Sequence, residues 1–319
     1  MGIIKYIKNQ IWHDRNMKNS IAEEMHRLNR VESVMDSVLP RMRMDYLRDK
    51  TMHTVDSGIS ADRYCDTEVI VSLTSFGKRI HDVFLAVEAI MQGTLKPNRI
   101  VLWLAEEEFG GKSLPILLQK QQMRGLEVRY CEDLRSYKKL IPSLCAFPDA
   151  CIVTIDDDVM LEYDLVERLV KTHIESPDSI CACRTHKIRL DKAGRPMSYL
   201  DWEYDADSED DGRSPLVFAT GVGGVLYPPH CFSSEVFNKD VFTRICPYAD
   251  DIWFYAMALM NKRKVKKVYT SEKPCFMDIP SWSIGALSEI NTNHSECLND
   301  VQLKAVFDKY QLYSKLTDA

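Results

Sequence analysis

Three consecutive aspartates, Asp156, Asp157 and Asp158, follow the apolar run CIVTI that starts at Cys151. Like charges packed after Ile and Val are costly unless positive charge sits among them. A divalent cation meets that need. Mg2+ or Mn2+ is a hard ion that takes one or two carboxylates and completes its shell with phosphate oxygens, which suits a nucleotide diphosphate. If the strand continues through the acids, alternation puts Asp156 and Asp158 on one side, unless one of them turns as the strand ends. The competing reading is a solvated turn in which Asp157 or Asp158 caps a helix starting at Val159.

The elements that must position these acids read as an α/β sheet. VIVSLTSF (69 to 76) is a short β-branched run of the buried-strand type that feeds a loop, and RIVLWL (99 to 104) is a second one. The helical pattern from His81 to Gly93 between them implies a right-handed crossover. LEVRYCED (126 to 133) reads as a third strand, PSLCAFPDA as a helix and turn, and CIVTIDDDV (151 to 159) as a fourth strand. Open parallel sheets bind ligands beyond the carboxyl ends of their strands, so the loop after Leu73 and the acids after Ile155 should share one crevice. The second half alternates less cleanly. It has an acidic loop at 205 to 213, a Gly-rich turn ATGVGGVLYPP (219 to 229) and a helix around 251 to 262.

Residues 1 to 65 differ from the rest. Ile21, Met25, Leu28, Met35 and Met42 recur at three, four and seven residue steps and form one stripe on a helix. That helix packs on the main domain or pairs with a second copy as a short coiled coil. The alternative is docking on the inner-membrane surface through Ile3, Ile4, Ile7, Ile11 and Trp12, with Lys5, Lys8 and Arg15 beside them. The domains expected are therefore a helical extension (1 to 65) and a main domain (66 to 319), whose halves are 66 to 160 and 161 to 319.

The chain has 319 residues, 45% of them hydrophobic, enough for a large core. The net charge of -6 and a pI near 5.8 argue against nucleic acid as partner. Ten cysteines without a regular framework, several inside apolar runs, suit a reducing cytosol. No stretch reaches about 18 uninterrupted apolar residues and the N-terminus lacks a cleavage site, so a cytoplasmic protein, peripheral at most on the cytoplasmic face of the membrane, is expected. Cys181, Cys183 and His186 do not make a zinc site by spacing, since CxC is not the usual knuckle and a second pair is missing.

VSLTSFGKRI, LKPNRIVLWLAEEEF, KKLIPSLCAFPDACIVTIDDDV, GVGGVLYPP and YADDIWF, in this order, resemble bacterial glycosyltransferases of the GT-A fold, the group that builds capsule and lipopolysaccharide chains. The resemblance covers roughly residues 68 to 305. It implies a Rossmann-like, mostly parallel sheet flanked by helices, and a metal-dependent transfer from a nucleotide-sugar donor, UDP-linked by default, to a glycan or lipid-linked saccharide acceptor. Thr74 and Ser75 match the loop that contacts the donor nucleoside, although their hydroxyls could equally cap a helix near Gly77. Arg79 and Lys139 sit where a cation could meet base or diphosphate. Asp156 and Asp158 match the ends of the family's DXD element, with Asp158 the first choice as metal ligand and Asp157 between them on the donor side. Asp250 and Asp251 match a second acidic pair. Asp251 is the expected base that takes the proton of the attacking hydroxyl in an inverting transfer, with helix-dipole complementation as the alternative. His294 matches a C-terminal histidine that serves as an extra metal ligand in some such enzymes.

On the acceptor side, Gly221, Gly223 and Gly224 would let backbone approach the sugar, or simply turn the chain. Trp253 and Trp282 could offer aromatic faces to a ring, though tryptophans are more often core. Asn299 and Asp300 resemble the end of the pattern without an assignable role. A phosphatase-like hydrolase disagrees with Val159 and Met160 after the last acid, and a nucleotidyltransferase usually carries a Gly-rich phosphate loop where VSLTSFGKR has one glycine. A non-catalytic carbohydrate-binding protein of the same fold predicts loss of one acid pair, and both pairs are present.

Overall fold

The computed structural model describes residues 2–207, 214–269, 276–279, 291 and 297–317, with the side chains of 2–23 and 32 left aside. The chain divides into two compact units, Met1–Tyr46 and Leu47–Ala319. The first consists of most of helix α1 (Gly2–His53). Within it Met25, Leu28, Met35 and Met42 are all largely exposed. The last turns of α1 belong to the second unit, where Leu47 and Thr51 are buried.

The second unit is built on a seven-stranded sheet. Its first strands are β1 (Val69–Thr74), β2 (Arg99–Ala105), β3 (Leu126–Cys131) and β4 (Cys151–Thr154). The spatial order at this edge is β3-β2-β1-β4, all parallel. Three of the four are almost wholly buried along their length, which is why they read in the sequence as unbroken apolar runs rather than alternating ones.

Helix α2 (Phe84–Met91) makes the crossover from β1 to β2 and is buried at every position. It begins later than the helical pattern suggests, because Gly77–His81 forms a separate 3-10 turn. Glu88 of α2 is fully buried and accepts two bonds from Arg124 Nη1 at 2.9 and 2.7 Å. Thr51 and Gln121 donate to the same carboxylate at 3.2 and 3.0 Å. A carboxylate taken out of water needs donors of this kind to offset its lost hydration.

Beyond β4 the order continues through β9 (Val225–Tyr227), β6 (Ile180–Ala182) and β10 (Val265–Lys267). Only β9 runs against the others. The sheet is thus mostly parallel and flanked by helices, as the strand and helix pattern of the first half predicts. These outer strands have three residues each, too few to leave a periodic signal.

The fourth strand is shorter than expected. It stops at Thr154, and Val159 instead opens β5 (Val159–Leu161), which pairs antiparallel with β11 (Phe276–Asp278) in a separate ribbon. The three aspartates therefore form a turn between two sheets. Ile155 N–H donates to the Ser72 carbonyl at 3.2 Å on one side, and Ile279 N–H donates to the Asp158 carbonyl at 2.8 Å on the other. No helix starts at Val159, so helix capping by these acids is excluded. No helix among the described residues is long and apolar enough to cross a membrane.

Candidate functional site

The register of β1 on β4, Ser72 opposite Thr154, brings the loop after β1 beside the aspartate turn. Ser75 is buried and donates to Asp157 Oδ2 at 2.6 Å. Arg79, on the 3-10 turn that follows, donates from Nη1 to Asp157 Oδ1 at 2.9 Å and to Asp158 Oδ2 at 2.8 Å. Asp157 and Asp158 thus share one cation, while Asp156 turns the other way. The neighbour-alternation of a strand does not apply once the strand has ended.

Asp156 faces Lys139, whose Nζ donates to Asp156 Oδ1 at 3.0 Å. The same ammonium lies 3.2 Å from Asp250 Oδ2. That contact is an ion pair by distance but poorly aligned as a hydrogen bond, and Asp250 Oδ2 has no other partner. Asp250 and Asp251 occupy the first turn of α8 (Asp250–Met260), with no side-chain cap. Asp251 Oδ2 accepts from Gly221 N–H at 2.9 Å. A Cβ on Gly221 would sit 2.7 Å from Lys139 Nζ and 3.0 Å from Asp251 Oδ1, so this glycine is where the backbone comes closest to the charged group.

Lys139 is held from behind by residues that sequence reasoning passed over. Ser72 Oγ donates to the Lys139 carbonyl at 2.6 Å and lies 2.7 Å from Ser143 Oγ, to which Trp103 Nε1 donates at 2.7 Å. The signal that could have found them is a polar side chain in the middle of an all-buried strand, since such a group must have partners.

The charges set the protonation states. Burial works against the Lys139 ammonium, yet Asp156, Asp250 and Asp251 together outweigh it and hold its pKa well above the usual lysine value. Asp251, partly open to solvent but ringed by protein, is pushed up to about 7 by burial and by Asp250, against the pull of Lys139 and the Gly221 N–H. Asp158 is pushed up to about 6 by burial and by Asp156, which Arg79 only partly offsets. Burial also raises Asp157 despite Ser75 and Arg79.

In the aspartate turn, Asp156 and Asp158 are the carboxylates that could hold a hard divalent cation. Asp156 Oδ2 and Asp158 Oδ1 take no part in the contacts above, and their side chains are 27% and 28% exposed. Two carboxylates with free oxygens and surplus negative charge suit Mg2+ or Mn2+ finished by phosphate oxygens, and fall short of an all-protein cage.

Other expected site residues lie elsewhere. Thr74 Oγ1 donates to the Trp103 carbonyl at 2.8 Å and, like Ser75, caps no helix. Trp253 does not offer a face to a sugar: it is fully buried, donates to the Val236 carbonyl at 3.1 Å and packs against Phe242 and Tyr310. An all-apolar stretch after the acid pair put it in the core. Gly223 and Gly224 have φ of 94° and 95°, which a turn between β8 (Val217–Ala219) and β9 uses, and a Cβ on Gly224 would meet Leu165 at 2.9 Å. Asn299 is buried, and Asp300 accepts from Ser198 Oγ and Tyr199 N–H, both at 2.6 Å. Trp282 and His294 lie outside the described residues.

No protein-family model matches the chain, and no curated protein matches it. Among solved structures, that of CMP:2-keto-3-deoxy-manno-octonic acid synthetase complexed with CTP superposes on 76% of this chain and 100% of its own, at 11% identity and a TM-score of 0.39. A likeness of this degree says nothing about activity.

Proposed function

We propose that this chain is a metal-dependent glycosyltransferase of the GT-A type, moving a sugar from a nucleotide-sugar donor, UDP-linked by default, to a glycan or lipid-linked acceptor in surface-polysaccharide synthesis. One observation carries the reading. The acids at the end of β4 and the acids at the start of α8 converge on Lys139 at the carboxyl ends of parallel strands, where α/β sheets bind ligands.

Asp156 and Asp158 would hold Mn2+ or Mg2+, which when bound supplies charge stabilisation for the departing diphosphate. Arg79 orients Asp158 through its shared contact with Asp157. The loop carrying Thr74 and Ser75 borders the donor nucleoside. Lys139 keeps Asp250 and Asp251 within reach of the donor side. Asp251, with a pKa near neutrality, accepts the proton of the attacking hydroxyl on the face opposite the leaving group, which gives inversion. The exposed apolar residues of α1 support contact with a second copy. Sedimentation and membrane partitioning of protein lacking its first 16 residues separate that from docking on the inner-membrane surface.

The test is calorimetric titration with UDP, GDP and other nucleotides, each with and without Mn2+, on the wild type and on Asp158→Ala. Metal-dependent binding of one nucleoside diphosphate, lost in the variant, supports the reading. Turnover of a nucleoside triphosphate with release of pyrophosphate would make the chain a nucleotidyltransferase instead. A folded protein that binds no nucleotide would be a carbohydrate-binding or scaffold protein of the same fold.

A further inference from the structure

At the opposite end of β4 from the aspartates lies a second group of chemically active side chains. Cys151 is the first residue of the strand, Cys65 lies in the segment leading to β1, and His173 sits in the last turn of α6 (Leu165–Glu175). One donor atom from each, two sulfurs and one ring nitrogen, falls within 4.8 Å of the other two. It is the only group of three such ligands among the described residues. From Cys151 to Asp156 the strand rises roughly 16 Å, so this group is separate from the acidic site.

The details favour a soft cation over coincidental packing. Cys151 Sγ and His173 Nε2 are 3.4 Å apart. In a tetrahedral zinc site, bond lengths of about 2.0 to 2.3 Å place neighbouring S and N donors about 3.5 Å apart and paired sulfurs about 3.8 Å apart. One edge of the tetrahedron is thus already formed, and the widest separation need close by only about 1 Å. Both sulfurs are tied to one residue: Thr67 Oγ1 donates to Cys151 Sγ at 3.4 Å, and Cys65 Sγ donates to the Thr67 carbonyl at 3.4 Å. His173 is buried, its Nδ1 has no partner, and its Nε2 meets only the Cys151 sulfur. A buried imidazole with so little hydrogen bonding is otherwise unexplained.

We propose that Cys65, Cys151 and His173 form a Zn2+ site, with water as fourth ligand on the partly exposed Cys65 side, which clamps the segment before β1 to β4 and α6. Binding forms two zinc–sulfur bonds and one zinc–nitrogen bond. The two thiol protons pass to solvent, so the two thiolates balance the charge of the ion. Cys181, Cys183 and His186, the other sulfur and imidazole cluster in the sequence, take no part. His186 Nδ1 already accepts from Asp205 N–H at 3.1 Å.

The test uses the reduced, chelator-treated full chain titrated with Co2+ as spectroscopic probe and then Zn2+ as competitor. One equivalent of Co2+ should give a thiolate-to-metal charge-transfer band with tetrahedral d–d bands, displaced by Zn2+, and Zn2+ should raise Tm. Cys65→Ser changes a partly exposed residue and leaves the core intact. It should lower the affinity for Co2+ at least tenfold and abolish the Tm shift, while His173→Gln should alter the d–d bands. Absence of these bands in the wild type, or bands and a Tm shift that survive in Cys65→Ser, would overturn the proposal. Circular dichroism on each variant confirms that the fold is kept.

Discussion

Arg79 and Lys139 neutralise acids along the same edge of one sheet, and they do it differently. Arg79 binds two neighbours in a single turn, Asp157 and Asp158, through well-aligned bonds of 2.9 and 2.8 Å. Its planar guanidinium fixes direction as well as charge. Lys139 is a point charge shared among acids from two halves of the chain, Asp156 after β4 and Asp250 with Asp251 at the start of α8, and one of its contacts is poorly aligned. The Arg79 cluster is a local clamp, whereas the Lys139 cluster is a junction with more acid than base. Burial first, and Asp250 beside it second, push the Asp251 carboxyl up to about 7 there. On the proposed reading, a junction of this kind couples events at the nucleotide-sugar to the protonation state of Asp251.

Removing the ammonium should therefore do the most damage. Lys139→Met leaves three carboxylates facing one another with no cation, and breaking a buried ion pair from one side costs about 3–5 kcal/mol. Chemical denaturation should show a loss of that size, and activity should disappear with it. Asp251→Asn tests the other half of the junction at lower cost to the fold. Loss of a general base lowers kcat about 10²- to 10⁴-fold, and nucleotide affinity by calorimetry should stay near wild type. In the wild type the rate should fall as pH drops below about 7, because the carboxylate then holds a proton and cannot take another. Stability runs the opposite way. The folded state binds this proton more tightly than the unfolded chain, so the group favours folding below the ordinary carboxylate range and loses that contribution as pH rises toward 7. Asp251→Asn should then gain about 1 kcal/mol at pH 8, after allowance for partial exposure. A pH–rate profile that keeps its acid limb in the variant would remove Asp251 as the base.

The contrast between the two clusters also marks what the sequence makes legible. The first four strands stand out because strands buried on both faces read as continuous apolar runs, and the acids at the end of the fourth are conspicuous for the same reason. The Arg79 contact follows from the register of β1 on β4, of which those runs imply only that the loop after β1 and the acids share one crevice. The junction at Lys139 does not. It depends on β9 entering the sheet antiparallel beside β4, and β9 has only three residues, with no periodicity to announce it. The end of β4 at Thr154 was hidden as well, because Ile155 continues the apolar run while the charges beyond it force the chain to turn. Trp253 shows the converse: position next to the acid pair suggested a role at the site, and helix α8 carries the ring into the core.

Smaller changes separate geometry from charge. Gly221→Ala keeps every charge but places a Cβ 2.7 Å from Lys139 Nζ, a flexible tip that can move aside, and 3.0 Å from Asp251 Oδ1. Stability should change by about 1 kcal/mol or less, and kcat should fall roughly 10- to 100-fold as the base is displaced from its productive position.

Arg79→Lys should have the smallest effect of the set. The positive charge stays between Asp157 and Asp158, and Ser75 still donates to Asp157, so the fold loses direction rather than neutralisation. The shorter, round ammonium cannot hold both carboxylates at once as the planar group does. Because Asp158 is the carboxylate left less constrained, the change should appear as a few-fold weaker Mn2+-dependent nucleotide binding, with the acid limb of the pH–rate profile unmoved. A shift of that limb in Arg79→Lys would mean that the two clusters titrate as one network, and the distinction between clamp and junction would fall.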